Sequence, residues 1–155
     1  MWKPILVVAA AAGIAFTATV ARTAEDLAAA VKERRQLMKK EVSPAAKLGG
    51  QMVKGKVPFD TSKAAAAMKD INSVPDKFVT LFPEGTELGA VPDSEALPAI
   101  WQSFDEFKAL AAKLKDASAE AAVAAGEGSE AFAAAFGDMT KICKECHETF
   151  REKRQ

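Results

Sequence analysis

The residues best suited to chemistry stand near the end of the sequence, where two cysteines and one histidine fall within five positions. The stretch CKECH at 143–147 contains every cysteine and histidine of the 155-residue chain. Two thiols three residues apart lie on adjacent turns of one helix, so both can reach the two vinyl groups of a single porphyrin. This C-x-x-C-H pattern predicts covalent haem c, with Cys143 and Cys146 as the thioether residues and His147 as the proximal iron ligand.

Three other interpretations of these residues are weaker. A thioredoxin-like redox pair stands at the start of a helix that follows a strand, whereas Cys143 lies deep in the last helical segment with no strand pattern before it. A zinc site of cysteine and histidine needs a fourth ligand, which the sequence does not contain. A buried structural pair with an incidental histidine requires the haem spacing to arise by chance. Covalent haem is therefore preferred.

Residues 1–21 have the three parts of a secretory signal peptide. Lys3 provides the early positive charge, an uncharged run begins at Ile5, and small residues lead up to Ala21. We expect cleavage after Ala21, because Thr19 and Ala21 then occupy the two positions that require small side chains. An uncleaved anchor is the alternative, since the run approaches the roughly 18 residues that begin to span a bilayer. Export to the periplasm agrees with the haem prediction, because bacteria attach haem of this kind outside the cytoplasm. Cleavage leaves residues 22–155 as the mature domain.

The composition restricts both the fold class and the partners. The chain contains 33 alanines, no tyrosine, 49% hydrophobic and 27% charged residues, which favours a globular helical domain over a long disordered chain. Basic and acidic residues number 21 each. No overall basic excess can neutralise nucleic-acid phosphates or dock on anionic lipid. We expect neither a nucleic acid nor, after signal cleavage, a membrane as partner.

Apolar residues recur at helical spacing in four segments of about 20 residues each. The segments run over about 25–48, 62–81, 100–125 and 129–150. A loop rich in proline and glycine separates the second segment from the third, and the other two connections are short. No alternating strand pattern competes with the helices. The sequence therefore predicts an all-α, antiparallel four-helix bundle.

Glycines and capping residues predict where these helices end. The glycines at 49–50 are expected to end or bend the first helix. Asp60, or the threonine after it, is expected to cap the second helix. Gly126 and Gly128 are expected to break the chain before Ser129 caps the fourth helix.

Five stretches of the sequence, taken in order, carry a family resemblance. They are ERRQLMKK, KGKVPFD, FPEGTELG, PAIWQSFDEFKA and AFGDMTKICKECHETFREK. Together they resemble the class II cytochromes c, the cytochrome c-prime family of four-helix bundles, over the whole mature chain. The resemblance implies a periplasmic haem protein that either carries electrons for redox partner proteins or binds small gases such as nitric oxide. It also implies that two copies often pair as a homodimer through the first two helices.

The sixth iron position decides between these two roles. Met139 lies eight residues before His147 on the same helix, about 12 Å along the axis, so it cannot face the iron from the opposite side. The remaining methionines of the mature chain are those at 38, 52 and 68. In the family that the chain resembles, a bulky apolar residue four positions after an arginine leaves the iron five-coordinate. A methionine stands there in the low-spin, cytochrome c-556-like members. The resemblance therefore implies Met38, four residues after Arg34, as the sixth ligand. The alternatives are that Met38 is only a core residue of the apolar stripe, or that Met52 is the ligand, redirected by a bend near Gly49.

The resemblance also implies roles for arginines. Arg34, with Arg35 as the alternative register, is expected near a haem propionate, because a guanidinium matches a carboxylate. Arg151 lies one turn after His147 and matches a basic residue beside the proximal imidazole. An exposed helix charge and a solvated cation at a helix C-terminus are the plain alternatives. The aromatic residues at 101, 104, 132 and 136 are expected in the core, because their spacing is regular.

These observations lead to one preferred function and one alternative. The preferred function is one-electron transfer through a haem whose axial ligands are His147 and Met38. The alternative is a five-coordinate haem that binds or sequesters nitric oxide or another small gas. Enzymatic turnover is not expected, because neighbouring acids such as Asp105 and Glu106 point apart and make no acid–base pair.

Overall fold

A computed structural model describes residues 22–153 of the chain. The predicted signal peptide at 1–21 lies outside the described residues. The helical elements are α1 (Ala24–Gln36), a π-helical segment (Leu37–Val42), α2 (Ser43–Val53), α3 (Thr61–Asn72), α4 (Pro75–Phe78), a 3₁₀ turn (Val79–Leu81), α5 (Ala99–Gln102), α6 (Phe104–Glu127) and α7 (Ser129–Phe150). No β-strand occurs in this part of the chain, only an isolated bridge between Ala96 and Arg151.

These elements group into the four helices of a bundle. The first bundle helix consists of α1, the π-helical segment and α2; the second of α3, α4 and the 3₁₀ turn; the third of α5 and α6; and the fourth of α7. The α6 helix packs along α3 and α7, and α2 packs along the same two helices. Short connections join the first helix to the second and the third to the fourth, so neighbours run antiparallel. The predicted four-helix bundle is confirmed, as is the long loop over 82–98.

The first bundle helix contains a π-helical turn that the sequence prediction missed. In an α-helix the N–H of residue 44 would donate to the Lys40 carbonyl. Pro44 has no N–H, so the α-helical hydrogen-bond pattern is disfavoured here. The Ser43 N–H instead donates to the Met38 carbonyl, five residues back. Such π-helical turns inside α-helices often mark functional sites. Here the turn contains Met38.

The glycines at 49–50 do not end the first helix, because α2 continues to Val53. Gly49 instead allows a close helix contact. A Cβ atom on Gly49 would lie 2.6 Å from a ring carbon of Phe136, whereas one on Gly50 would lie 3.8 Å from that ring. The lack of a side chain at Gly49 therefore lets α2 approach α7.

The other helix boundaries follow from local chemistry. Asp60 caps α3, since its Oδ1 accepts a 2.9 Å hydrogen bond from the Lys63 N–H. Ser129 is not a cap, contrary to expectation, and Gly126 lies inside α6. Gly128 alone separates α6 from α7, with φ of 123°, a conformation that side chains disfavour.

The buried side chains form two clusters at different levels of the bundle. The larger cluster includes Met52, Met68, Ile71, Phe132, Phe136 and Met139. The smaller cluster consists of Phe82, Ala96, Ile100, Phe107, Leu110 and Phe150 with their neighbours. Burying one large apolar side chain contributes about 1.5–3 kcal/mol, so both clusters stabilise the bundle.

None of the helices within residues 22–153 is both long and apolar enough to cross a membrane.

Candidate cofactor site

A large cavity lies between the first and fourth bundle helices, beside the smaller buried cluster, and residues of the second and third bundle helices also line it. Its volume is about 1120 Å³, which exceeds the roughly 300–1,000 Å³ of most small-molecule sites. All six residues singled out from the sequence line it, namely Arg34, Met38, Cys143, Cys146, His147 and Arg151. The fold thus brings together residues that are up to 117 positions apart in the chain.

The α7 helix forms one wall of this cavity because its apolar stripe continues past the core. Phe136 and Met139 are buried in the larger cluster, and one turn further along the helix the same stripe reaches the cavity at Cys143 and Cys146. Both cysteines are half-buried and neither forms a disulfide. Two free thiols on one helix face, at the edge of a large cavity, are suited to bonding one ligand at two points.

The surroundings keep both thiols protonated. Burial raises the pKa of the Cys143 thiol above its ordinary value. Burial also raises the pKa of Cys146, to about 11, with smaller contributions from Cys143 and Glu145 and an opposing one from Arg151. A thiol in this state is a poor nucleophile and metal ligand, because those reactions use the thiolate. This environment does not favour a redox-active cysteine pair.

The imidazole of His147 is exposed on the cavity side of α7. Its pKa is lowered, first by partial removal from water and then by the positive charge of Arg151, while Glu95 has the opposite effect. The neutral imidazole is the form that binds a metal ion. Burial and Arg151 therefore favour the neutral, metal-binding form of His147.

One buried hydrogen-bond donor of Arg151 has no acceptor among the described residues. Arg151 is half-buried at the end of α7, and the donor is its buried Nε atom. A buried donor left without an acceptor costs about 1–3 kcal/mol. This donor lies on a residue that lines the cavity, so an acceptor group on a bound cofactor would satisfy it.

Met38 lies on the cavity wall formed by the first bundle helix, and it is half-buried. The rival methionines do not line this cavity. Met52, Met68 and Met139 are 6%, 0% and 0% exposed and belong to the larger buried cluster. Among the methionines of residues 22–153, Met38 alone reaches the cavity.

Arg34 is buried, with only 5% of the residue exposed, and its guanidinium is held by the loop over 82–98 and its preceding turn. One terminal nitrogen donates to the Leu81 carbonyl at 3.1 Å and to Thr86 Oγ1 at 3.0 Å. The other donates to the Thr86 carbonyl at 2.7 Å and to Ser94 Oγ at 2.8 Å. The four N–H groups of the terminal nitrogens are thus engaged, which leaves only the Nε–H for a propionate.

The surroundings of Arg34 include an aromatic ring, and they lower the pKa of its guanidinium. Its guanidinium carbon lies 4.4 Å from the centroid of the Phe82 ring, a cation–π contact. Burial lowers the pKa of Arg34 to about 10, and Glu87 opposes this shift. The arginine is still charged at neutral pH, and the loop supplies the acceptors that compensate its burial.

The loop also contacts the end of α7, so it joins the two walls of the cavity. The Leu97 N–H donates to the Phe150 carbonyl at 3.0 Å, and the Glu152 N–H donates to the Glu95 carbonyl at 2.9 Å. Sequence reasoning located this loop from its prolines and glycines but missed its role, because irregular backbone has no periodic signal.

Arg35 lines the cavity and forms a 2.7 Å ion pair with Asp93, with 43% of the arginine side chain exposed. The aromatic residues expected in the core, at 101, 104, 132 and 136, do not line the cavity. The aromatic residues that do line it are Phe78, Phe82, Phe107 and Phe150.

This cavity meets the requirements of a covalently attached haem. A porphyrin needs a large apolar slot, which the phenylalanine rings provide. Its vinyl groups need two thiols, its iron needs a neutral imidazole, and its carboxylates need donors such as the unpaired Arg151 Nε. The residues present fit this group.

Comparison with known proteins agrees with the geometry. Residues 29–151 match the family model described as cytochrome c′. Cytochrome c-556 of Agrobacterium tumefaciens (strain B2A) is 37% identical over 123 residues, which cover 79% of this chain and 97% of that protein.

Two solved structures have the same fold. Cytochrome c′ from "Rhodobacter Spheriodes" has 34% sequence identity and a TM-score of 0.72, and the match covers 86% of this chain and 100% of that one. The nitric oxide complex of a mutant of cytochrome c prime from Alcaligenes xylosoxidans has 28% identity and a TM-score of 0.69. That match covers 80% of this chain and 94% of the other.

Proposed function

Because the chain belongs to the cytochrome c′ family and its cofactor is covalent haem c, we propose that it is a periplasmic one-electron carrier with His147 and Met38 as axial ligands. The bound haem supplies an iron that cycles between the ferric and ferrous states. The observation that carries the proposal is the position of Met38, since no other methionine in residues 22–153 lines the cavity that His147 also lines.

Cys143 and Cys146 are proposed as the attachment residues. With haem bound, each thiol would add across one vinyl group, so that sulfur would bond to one vinyl carbon and hydrogen would go to the other. Neither oxidant nor reductant is consumed in this addition. The support is that both thiols are free, half-buried and on the cavity wall.

With Met38 and His147 as ligands, the iron would stay six-coordinate in both oxidation states. Little structural change would then accompany electron transfer. A methionine thioether opposite histidine raises the reduction potential. Partial removal from water, and then the positive charge of Arg151, lower the pKa of His147, which favours the neutral imidazole before ligation. Arg34 holds the loop beside the cavity and keeps only its Nε–H for the predicted propionate contact.

The axial ligand can be tested by spectroscopy of the purified haem protein. We expect the ferric wild type to be low-spin, with the weak near-infrared sulfur-to-iron charge-transfer band. Met38→Leu removes the thioether at nearly constant volume, so it should abolish that band and speed carbon monoxide binding to the reduced protein. Met52→Leu is the matched control and should leave both readouts unchanged. A high-spin wild type, or loss of the band only in the Met52 variant, would overturn the assignment.

The second candidate function is gas binding by a five-coordinate haem. One observation favours it: a relative with the same fold has been solved as a nitric oxide complex. In that case wild-type protein and the Met38→Leu variant would bind carbon monoxide at the same rate. Equal rates would transfer our preference to gas binding and leave the attachment residues unaffected.

Export is proposed from the sequence of residues 1–21. Intact-mass measurement of protein from the periplasm should give a haem-loaded chain that begins at Arg22. A full-length chain that pellets with membranes would instead support the uncleaved anchor.

A further inference from the structure

The charges around the cavity are unbalanced, although the whole chain is neutral. The cationic side chains that line the cavity are Lys32, Arg34, Arg35, Lys39, Lys40 and Arg151. The acidic ones are Asp93 and Glu95. The lining therefore has an excess of four positive charges, in a chain whose 21 basic residues equal its 21 acidic ones.

Four of these cations are accessible from solvent. Lys32, Arg35, Lys39 and Lys40 are exposed and lie on two successive turns of the first bundle helix; we call them the cationic face. Lys32 and Lys39 are about 10.5 Å apart along the helix axis. Arg34 does not contribute, since it is buried and its terminal nitrogens donate to the loop.

Little within the described residues neutralises the cationic face. Arg35 pairs with Asp93, whereas the three lysines form no ion pair in that part of the chain. The nearby acid Glu33 pairs instead with Lys77. A haem brings two propionates, which can neutralise at most two of the cavity cations. A positive field therefore persists at the rim of the cavity.

We propose that this cationic face is the docking surface for an acidic redox protein, and that electrons pass between the partner and the haem across this rim. The inference rests on the proposed electron-carrier function. Complementary charge steers diffusional encounter and orients the partner, and it raises association rates by about 10- to 1,000-fold at low salt. One electron leaves the reduced centre of one protein and enters the oxidised centre of the other.

A protein partner fits this surface better than a membrane. Peripheral helices that bind membranes combine basic residues with a face of large apolar side chains. The exposed large apolar residues of the described chain are Val53, Leu88 and Val123. None of them lines the cavity beside the cationic face.

Small redox reagents of opposite charge provide the test. Stopped-flow measurements would follow oxidation of reduced haem protein by ferricyanide, an anion, and by tris(phenanthroline)cobalt(III), a cation, between about 10 mM and 0.5 M salt. We expect the ferricyanide rate to fall with salt and the cobalt rate to rise. A neutral or acidic protein without a local positive field would give no salt dependence or the opposite signs, and that result would overturn the proposal.

Charge reversal assigns the effect to the cationic face. The variant Lys32→Glu/Lys39→Glu/Lys40→Glu should slow oxidation by ferricyanide about tenfold at low salt and reverse the sign of both salt dependences. The control Lys54→Glu/Lys69→Glu/Lys113→Glu makes the same charge change on exposed lysines that do not line the cavity. Equal effects of the two triple variants would refute the docking surface.

The outcomes separate this proposal from the proposed function. If both oxidation rates depend on salt as expected but the ferric spectrum is high-spin, the Met38 assignment is wrong and the docking proposal is retained. If the spectrum is low-spin but the triple variants behave alike, the docking surface fails and the ligand assignment stands. Cosedimentation of wild type with phosphatidylglycerol vesicles, lost only in the cavity-side variant, would replace the protein partner with a membrane.

Discussion

Arg34 in α1 lies against the ring of Phe82 in the long loop, with its guanidinium carbon 4.4 Å from the ring centroid. The same guanidinium donates hydrogen bonds to Thr86 and Ser94 of that loop. One buried side chain thus connects the first bundle helix, which contains Met38, to the segment that covers the cavity.

Replacing Arg34 should loosen this connection. We expect Arg34→Met to lower the free energy of unfolding by about 2 kcal/mol, because the loop acceptors lose a charged donor while the side-chain volume is largely kept. Denaturant unfolding followed by circular dichroism measures the change. Arg35→Met is the control, and its exposed ion pair should cost less than about 1 kcal/mol. Similar losses in both variants would argue against a special role for Arg34.

The two neighbouring glycines of α2 should respond oppositely to alanine. Gly49→Ala places a methyl group 2.6 Å from the Phe136 ring, so we expect a loss of about 1–3 kcal/mol of stability from overpacking. Gly50→Ala has room for the methyl group, at 3.8 Å, and should gain up to about 1 kcal/mol from helix propensity. Thermal unfolding of the two variants tests the difference. Stabilisation by both would show that α2 and α7 can move apart at little cost.

The thioether assignments predict graded loss of haem attachment. Cys143→Ser and Cys146→Ser should each retain haem through one bond, and the double variant should release it into acid–acetone. Pyridine haemochrome spectra provide the second readout, since each unreacted vinyl group shifts the absorption band to longer wavelength. Haem that leaves the wild-type protein with the solvent would contradict covalent attachment.

The cap of α3 predicts a pH dependence of stability. Hydrogen bonds from the backbone and side chain of Lys63 lower the pKa of Asp60 below its ordinary value of 3.8. Its contribution is therefore fully present above that value and is lost as the pH falls through the lower folded-state pKa. The difference in melting temperature between wild type and Asp60→Ala should be constant near neutrality and shrink below pH 3.8.

A matched variant controls for general acid effects on the fold. Asp116 is exposed on α6 and forms no ion pair among the described residues. Asp116→Ala should show a small difference from wild type across the same pH range. If the Asp60→Ala difference persisted unchanged well below pH 3.8, the carboxylate form of the cap would not be the stabilising species.

The parts of the molecule that the sequence predicts are those with periodic or local signals. Apolar spacing predicts the four bundle helices, and the CKECH spacing predicts one chemically competent face of α7. The stripe from Phe136 through Cys146 passes from core to cavity without a break in its period. The sequence predicts both α7 and the candidate site, because the two cysteines follow the same apolar spacing that predicts the helix.

The features that the sequence did not predict depend on contacts between distant elements. A pair of glycines such as that at 49–50 is typical of a helix end, but the close approach of Gly49 to Phe136 is a property of packed helices. Pro44 lies within the continuous apolar stripe of the first helix, and only the backbone shows the π-helical turn before it. The hydrogen bonds of Arg34 join residues 52 and 60 positions apart, beyond any local pattern.

The loop over 82–98 also bears on the order of folding. Its contacts with Arg34 and with the backbone after His147 bridge 52–60 positions of the chain, and they can form only when α1 and the end of α7 are already in place. The helices are therefore expected to dock first and the loop to close last. Until it closes, the cleft between the first and fourth helices stays accessible, so a planar cofactor can enter a bundle that is already largely assembled.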